Sequence, residues 1–359
     1  MLDIMQEEEG ETIMVKIGIA GCGMITKTRH APEYAHHKDA KVVAWYNRSV
    51  SKAEELASLY GGKVYETFDE LLESDVDALS ICSFNADHYE QTIKALNAGK
   101  HVLVEKPMAM SLKECEDMVA LAKQKGLKLL VAHNQRLMAG HCKAKELIDE
   151  GKIGRILSFE TYFCHGGPDA WLKDPDPWFF HKEKAVLGAM GDLGIHKADL
   201  INYLLNSRAI ELNALMETKD KRYPDGSLID VDDNALVLMK MENGVSGTMR
   251  VSWTNYGEGD NKTILYGTKG VMELYRNHEA VISVFLKGGI RESYDVKNEM
   301  FTGPDEKVYE NSGVIDTFIE AIENDKETCL DGNYALESMK TIFACVRSSE
   351  EKKIVTIRY

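Results

Sequence analysis

No stretch of this 359-residue chain is apolar for the roughly 18 to 20 consecutive residues that a membrane helix needs, and its first residues lack the basic-then-apolar order of a secretion signal. A membrane partner is not expected, and a cytoplasmic location is. Positive charge is in short supply: 43 Lys and Arg stand against 58 Asp and Glu, for a net charge of -15 with no basic stripe to offset it. A phosphate backbone or an anionic lipid surface is therefore a poor ligand, and nucleic acid is not expected. The seven cysteines (Cys22, Cys82, Cys115, Cys142, Cys164, Cys329 and Cys345) lack the paired spacing of zinc or redox sites. Buried free thiols are expected. His165 and His181 come with no ligand cluster, so no metal is required. Internal repeats and low-complexity segments are also missing.

What is present is an ordinary globular composition, 44% hydrophobic and 28% charged, in a chain long enough for about two domains. Residues 1–13, with Glu7-Glu8-Glu9 and little apolar material, read as a flexible acidic extension. Over 14–137 short apolar runs alternate with amphipathic stretches, giving strands at 15–20, 41–46, 76–84, 100–104 and 127–132 and helices at 51–60, 68–72, 88–98 and 111–125. Repeated strand-helix order implies a right-handed parallel sheet of α/β class. Over 138–359 the pattern changes. A linking helix at 143–150 and a strand at 155–164 precede an irregular aromatic loop and a helix at 187–205. Strands follow at 211–217, 234–241, 245–253, 263–266, 271–275 and 280–286, then helices at 314–323 and 334–351 and a strand at 354–358. Asn243-Gly244 marks a tight hairpin turn. This second region reads as α+β with a large open, mostly antiparallel sheet. An uncovered sheet face would call for a homo-oligomer, a dimer or larger.

Gly21-Cys22-Gly23-Met24-Ile25-Thr26 follows the first strand and opens a helix, the setting in which a glycine pair becomes a dinucleotide-binding turn. Gly21 would make the turn, Gly23 would admit a pyrophosphate, and the free amides around Met24 and Ile25 would meet its charge. A methyltransferase can also place glycines there. After the second strand stand Asn47 and Arg48, where an NAD site usually has an acid. Asn47 keeps hydrogen bonding without charge. Arg48 could stack on adenine, meet a 2'-phosphate or simply be solvated, so NAD(H) and NADP(H) both remain open.

Lys106 follows the apolar run His101-Val102-Leu103-Val104, in Glu105-Lys106-Pro107. Such a run reads as a strand buried on both faces, and ligands collect beyond the carboxyl ends of strands like it. Asp192 and His196 lie four apart on the helix expected at 187–205, so they project from nearly one face. Oxidising a secondary alcohol needs a base for the hydroxyl proton, and histidine titrates near neutrality. A fixed ammonium would stabilise the negative charge that develops on the oxygen. These types suit His196 as general base, Lys106 as electrostatic stabiliser and Asp192 as the group that orients them. Asp199 and Lys197 have the blander reading of solvated helix-surface charges.

The glycine turn, Gly99-Lys100-His101-Val102-Leu103-Val104-Glu105-Lys106-Pro107 and Gly188-Ala189-Met190-Gly191-Asp192-Leu193-Gly194-Ile195-His196 together resemble the family of glucose-fructose oxidoreductase, inositol dehydrogenase and MocA, from about Val15 to the C-terminus. Thr26 at the third glycine position departs from the pattern, as does Phe84 where many members have proline before Asn85. The resemblance implies a nicotinamide cofactor on an N-terminal Rossmann domain and a sugar, glycoside or cyclitol held against the C-terminal sheet, often in oligomers. It implies that Asn85, His88 and Glu105 lie near the nicotinamide end and that Lys106, Asp192 and His196 are catalytic. Asn134, Gln135, Arg136, His165 and Trp178 are further substrate-contact candidates. Aromatic faces of the loop 171–181 suit a sugar ring or an aglycone, as in members that make 3-keto glycosides, though they could equally cover core or interface. Some relatives with this fold only sense the nucleotide, which leaves a non-catalytic regulator as the alternative.

Overall fold

The computed structural model describes residues 14–276 and 280–359, so the expected extension at 1–13 lies outside the described residues. Six strands, β1 (Val15–Ala20), β2 (Ala40–Tyr46), β3 (Lys63–Tyr65), β4 (Ala78–Ile81), β5 (His101–Val104) and β6 (Leu129–Val131), form a parallel sheet in the order β3-β2-β1-β4-β5-β6. The order reverses between β1 and β4, and a crevice opens beyond their carboxyl ends. All four residues of β4 are buried, which is why these runs are apolar without alternation. Helices α1 (Ala31–His36), α2 (Val50–Tyr60), α3 (Phe68–Glu73), α4 (Asn85–Asn97) and α5 (Leu112–Lys125) connect them. Thr67 and Glu70 close a capping box at the start of α3; Ser111 caps α5, which ends on Gly126 in the left-handed region. The three-residue β3 was not anticipated, being too short for any period to show.

The second sheet holds β7 (Ile156–Cys164), β8 (Ala209–Glu217), β9 (Asn234–Met241), β10 (Ser246–Ser252), β11 (Thr263–Gly267), β12 (Gly270–Leu274), β13 (Ile282–Leu286), β14 (Ile290–Tyr294) and, at its far edge, the short Val355–Thr356 strand. Its order is β14-β13-β12-β11-β7-β10-β9-β8 followed by that edge strand; among the described residues β7 and β10 are its one parallel pair. Helix α6 (Ala139–Asp149) leads in, and short helices α7 (Pro168–Leu172) and α8 (Lys182–Ala185) organise the aromatic loop. Helix α9 (Ile195–Leu205) lies against one sheet face together with a long terminal helix at Gly332–Glu351. The opposite face alternates outward, leaving Leu215, Leu236 and Leu238 exposed. Strand β14 and a hairpin of Met300–Thr302 with Val308–Glu310 were not expected, nor were α7 and α8.

Two departures bear on the site. The single helix expected at 187–205 instead opens with a π turn, Met190–Gly194, that runs into α9. Asp232 anchors it, accepting from the amides of Gly188 (2.9 Å) and Met190 (2.7 Å). The C-terminal segment also crosses the boundary expected at residue 137. Helix α10 (Val314–Glu323) buries Val314, Ile315, Phe318 and Ile319 in one cluster with Ile17, Ile19 and Leu103 of the first sheet. Glu33 accepts from the hydroxyl (2.7 Å) and amide (3.2 Å) of Ser312, and Arg29 pairs with Glu310 at 3.0 Å. These contacts fasten the second region over the mouth of the first.

Candidate active site

A cleft of about 730 Å³ runs from the β1 turn to the helix that carries His196. At one end Gly21 has φ +98°, and a Cβ there would come within 2.4 Å of the Cys82 backbone, so the fold itself requires glycine. Gly23 is different: a Cβ would meet nothing within 4 Å. Its lack of a side chain serves the cleft rather than the fold, as expected where a pyrophosphate approaches the backbone. Met24 and Ile25 line the same end, half exposed. Thr26, the departure at the third glycine position, turns its hydroxyl back onto the Gly21 carbonyl at 2.6 Å and tightens the turn. Asn47 braces it from β2, its Oδ1 accepting from the Cys22 amide at 3.0 Å. Arg48 lies over the Phe84 ring, 4.5 Å to the centroid, and reaches Asp87 at 3.4 Å. These residues fit a dinucleotide.

Midway, a cis Lys106–Pro107 bond turns the chain after β5. Glu105 lines the cleft, and its Oε1 meets His30 Nε2 at 2.9 Å while Oε2 accepts from the Lys106 amide at 3.1 Å. Burial works against the charge of Glu105, but His30 and Lys106 outweigh it and hold the carboxyl below its usual range. His30 is raised well above an ordinary histidine: burial opposes its charge, and the Cys82 sulfur and Glu105 carboxylate more than offset that. Tyr34 and Ser80 close this network behind the sheet, 2.7 Å apart. His88 and Asn85 serve the frame as well as the wall. The His88 imidazole spans Pro107 O (2.9 Å) and Ser83 O (3.3 Å), and Asn85 Nδ2 donates to Ala185 O at 3.0 Å.

The far end holds the three residues expected to be catalytic. Lys106 Nζ donates to Asp192 Oδ1 at 2.8 Å and to the Asp192 carbonyl, in the π turn, at 3.0 Å. Trp253, fully buried at the end of β10, donates its Nε1–H to Asp192 Oδ2 at 3.2 Å. Both carboxylate oxygens are thus oriented, and Asp192 in turn aims the ammonium. His196 lines the cleft beside them, with Nδ1 buried and unpartnered among the described residues, leaving Nε2 for the open side. Burial, with Lys106, His133 and Lys197 nearby, pulls its pKa well below an ordinary histidine. It is neutral at pH 7 and able to accept a proton. π turns recur where a helix must re-aim a functional side chain, and this one shifts Asp192 relative to His196.

Trp178 lines the cleft, stacked on Phe179 at 3.9 Å and 5.0 Å from Phe84, with Trp171 beside it. Two expected contacts, Arg136 and Gln135, lie elsewhere. Arg136 is 4% exposed and clasps Asp199 through Nε (2.6 Å) and Nη2 (2.7 Å), so it is a structural ion pair outside the cleft. Asp199, 1% exposed, is accordingly no surface acid. Gln135, also buried, faces Asn261 at 3.4 Å. His165 stands beside the catalytic end rather than away from it: it shares Phe163 with His196, its Nδ1 accepts from the Gly167 amide at 2.9 Å, and burial lowers its pKa with the charges of Asp192 and Lys106 close enough to act on it. Lys197 is fully buried rather than solvated; burial pushes its ammonium down to about 7, and it donates to the Asn261 carbonyl at 3.0 Å. Sequence reasoning missed His30 and Trp253 as support residues, since each reaches the site only through a tertiary contact, whereas Asn134, expected with Gln135 and Arg136 as a substrate contact, does line the cleft.

Residues 15–133 match the oxidoreductase family with an NAD-binding Rossmann fold, and residues 141–273 match the GFO/IDH/MocA C-terminal domain. Among characterised relatives, glucose-6-phosphate 3-dehydrogenase of Bacillus subtilis (strain 168) is 34% identical over 239 residues, 65% of this chain and 66% of that protein. Levoglucosan dehydrogenase of Pseudarthrobacter phenanthrenivorans is 29% identical over 256 residues, 65% of this chain and 63% of that protein. These alignments therefore span just under two thirds of the relatives' length. The crystal structure of aldose-aldose oxidoreductase from Caulobacter crescentus superposes with a TM-score of 0.82 at 23% identity, over 96% of this chain and 100% of that one, which shows the fold alone. With both domain matches in register with the glycine turn, the Glu105-Lys106-Pro107 bend and the Asp192–His196 segment, the chain belongs to the Gfo/Idh/MocA oxidoreductase family.

Proposed function

We propose that this protein is an NAD(P)-dependent dehydrogenase that moves a hydride between a nicotinamide cofactor and a secondary ring hydroxyl of a sugar, glycoside or cyclitol. One observation carries the reading: Lys106, Asp192 and His196 converge at one end of the cleft whose other end is the glycine turn. A bound nicotinamide supplies the hydride acceptor in oxidation and the donor in reduction. His196 Nε2 takes the proton from the hydroxyl as its oxygen gains charge, and returns it in the reverse direction. Lys106, anchored on Asp192, holds a positive charge beside that oxygen, a contribution of about 3 kcal/mol for one preorganised donor. Glu105 and Asn85 shape the wall between the two ends, while Trp178 and Trp171 offer apolar surface to a ring or an aglycone. Relatives named for a 3-dehydrogenation of glucose 6-phosphate and for levoglucosan oxidation support this substrate class.

The exposed sheet face, with Leu236 opposite Leu215 and Leu238 two residues on, supports a homo-oligomer formed through it, and light scattering at the mass of one chain would rule that out. The enzymatic reading is tested with a panel of pyranoses, glycosides and inositols, reading reduced-cofactor fluorescence for the protein and for Lys106→Ala. Turnover that collapses in the variant is expected. Tight cofactor binding with no turnover of any member would point instead to a nucleotide-sensing regulator.

A further inference from the structure

The end of the cleft beyond β2 carries charge that hydride transfer leaves unused. Asn47, Arg48, Ser49 and Lys52 line it with Phe84 and Asp87. In a sheet of this order the adenosine ribose reaches the end of the second strand, and an acid there accepting from the ribose hydroxyls selects the unphosphorylated cofactor. This chain has no acid at that point. Asn47 is uncharged and half committed to the turn, Oδ1 accepting from Cys22 N at 3.0 Å and Nδ2 donating to Ser49 O at 2.9 Å, which leaves one N–H and one lone pair for a ribose but no charge to repel a phosphate.

The cations around it are underused. The Arg48 side chain is 61% exposed, and its ion pair with Asp87, at 3.4 Å, is the long, solvated kind that contributes little. Lys52, exposed in the first turn of α2, makes no ion pair among the described residues. Ser49 precedes α2 without capping it, its hydroxyl meeting that of Ser51 at 3.2 Å. Two cations against one carboxylate leave this end net positive in a chain of net charge -15. The guanidinium sits over Phe84, 4.5 Å from the ring centroid, and its N–H groups can pair with a phosphate dianion in a charge-assisted bond stronger than the contact with Asp87.

We propose that Arg48, Ser49 and Lys52 form a site for the 2'-phosphate of NADP(H), so that the protein prefers NADP(H) to NAD(H). This rests on the dinucleotide reading of the cleft and deepens it. Fluorescence titration of the purified protein with NADPH and NADH needs no substrate; NADPH is expected to bind about 100-fold tighter at low salt, about tenfold for each of two exposed charged hydrogen bonds. Raising ionic strength should narrow that ratio. Adenosine 2',5'-bisphosphate should displace NADPH where ADP at the same concentration does not, a check on the unaltered chain. Arg48→Ala and Lys52→Ala should each lower the NADPH-to-NADH affinity ratio about tenfold, and Asn47→Asp should move it further towards NADH. NADH binding as tightly as NADPH, or a ratio indifferent to both alanine variants, overturns the proposal while leaving the dehydrogenase reading standing. Failure of either dinucleotide to bind would overturn both.

Discussion

At the scale of the residue, identity mattered less than what each side chain is tied to. Lys106 and Arg136 both looked like cations available to a substrate, yet one reaches the cleft and the other is locked on Asp199. Removing one partner of a buried pair such as Arg136–Asp199 costs about 3 to 5 kcal/mol, so an Arg136 variant would report on folding rather than on substrate. His196 carries the sharper expectation. Because its pKa lies well below the ordinary range, chiefly through burial, the base form persists into mild acid. Initial rates of cofactor reduction between pH 5 and 8 should therefore show an acid limb below pH 6.5. His196→Asn should lower kcat by about 10² to 10⁴-fold. A limb at or above pH 7, or a variant that keeps its rate, would remove His196 as the base.

At the scale of the element, two glycines in one turn do opposite jobs. Gly21 is dictated by the chain's own path, with positive φ and the Cys82 backbone in the way of any Cβ. Gly23 faces open space. Gly23→Ala should leave the melting temperature within about 2 °C of the parent, because nothing in the protein is displaced, while weakening dinucleotide affinity at least tenfold. Gly21→Ala should fail at the level of folding. Thermal melts paired with cofactor titration separate the two, and a Gly23→Ala protein that binds normally would dissociate that residue from the pyrophosphate. The π turn at Met190–Gly194 belongs to the same scale: a helix drawn by periodicity alone is regular, and only the hold of Asp232 on two amides shows where this one widens.

At the scale of the whole molecule, burial of histidine sets the response to acid. His88, His101, His133, His141, His165 and His196 have pKa values lowered, chiefly by burial, that of His141 to about 3. Their unfolded forms protonate near 6.5 and their folded forms do not, so stability is lost as pH falls through that value, by up to about 1.4 kcal/mol per unit for each. Three groups oppose this. Asp232, pushed up to about 6 by burial, favours the folded state as pH falls from 6 towards 4, Glu33, raised by burial, does the same as pH falls through its own raised value, and His30, raised, stabilises the fold below its own elevated pKa. Six against three predicts a melting temperature that drops between pH 7 and 5.5, and a flat profile there would mean these imidazoles are solvated. The parallel sheet, the open antiparallel sheet, the glycine turn, Lys106 and the Asp192–His196 segment were all legible in the sequence, because apolar periodicity and local spacing are properties of neighbours in the chain. What only the tertiary structure decided depends on groups distant in sequence: the clasp of α10 and Ser312 onto the first sheet, His30 on Glu105, Trp253 on Asp192, and the withdrawal of Gln135 and Arg136 from the cleft. A side chain's charge is written in the sequence, but which partner neutralises it is fixed only when the two sheets close on each other.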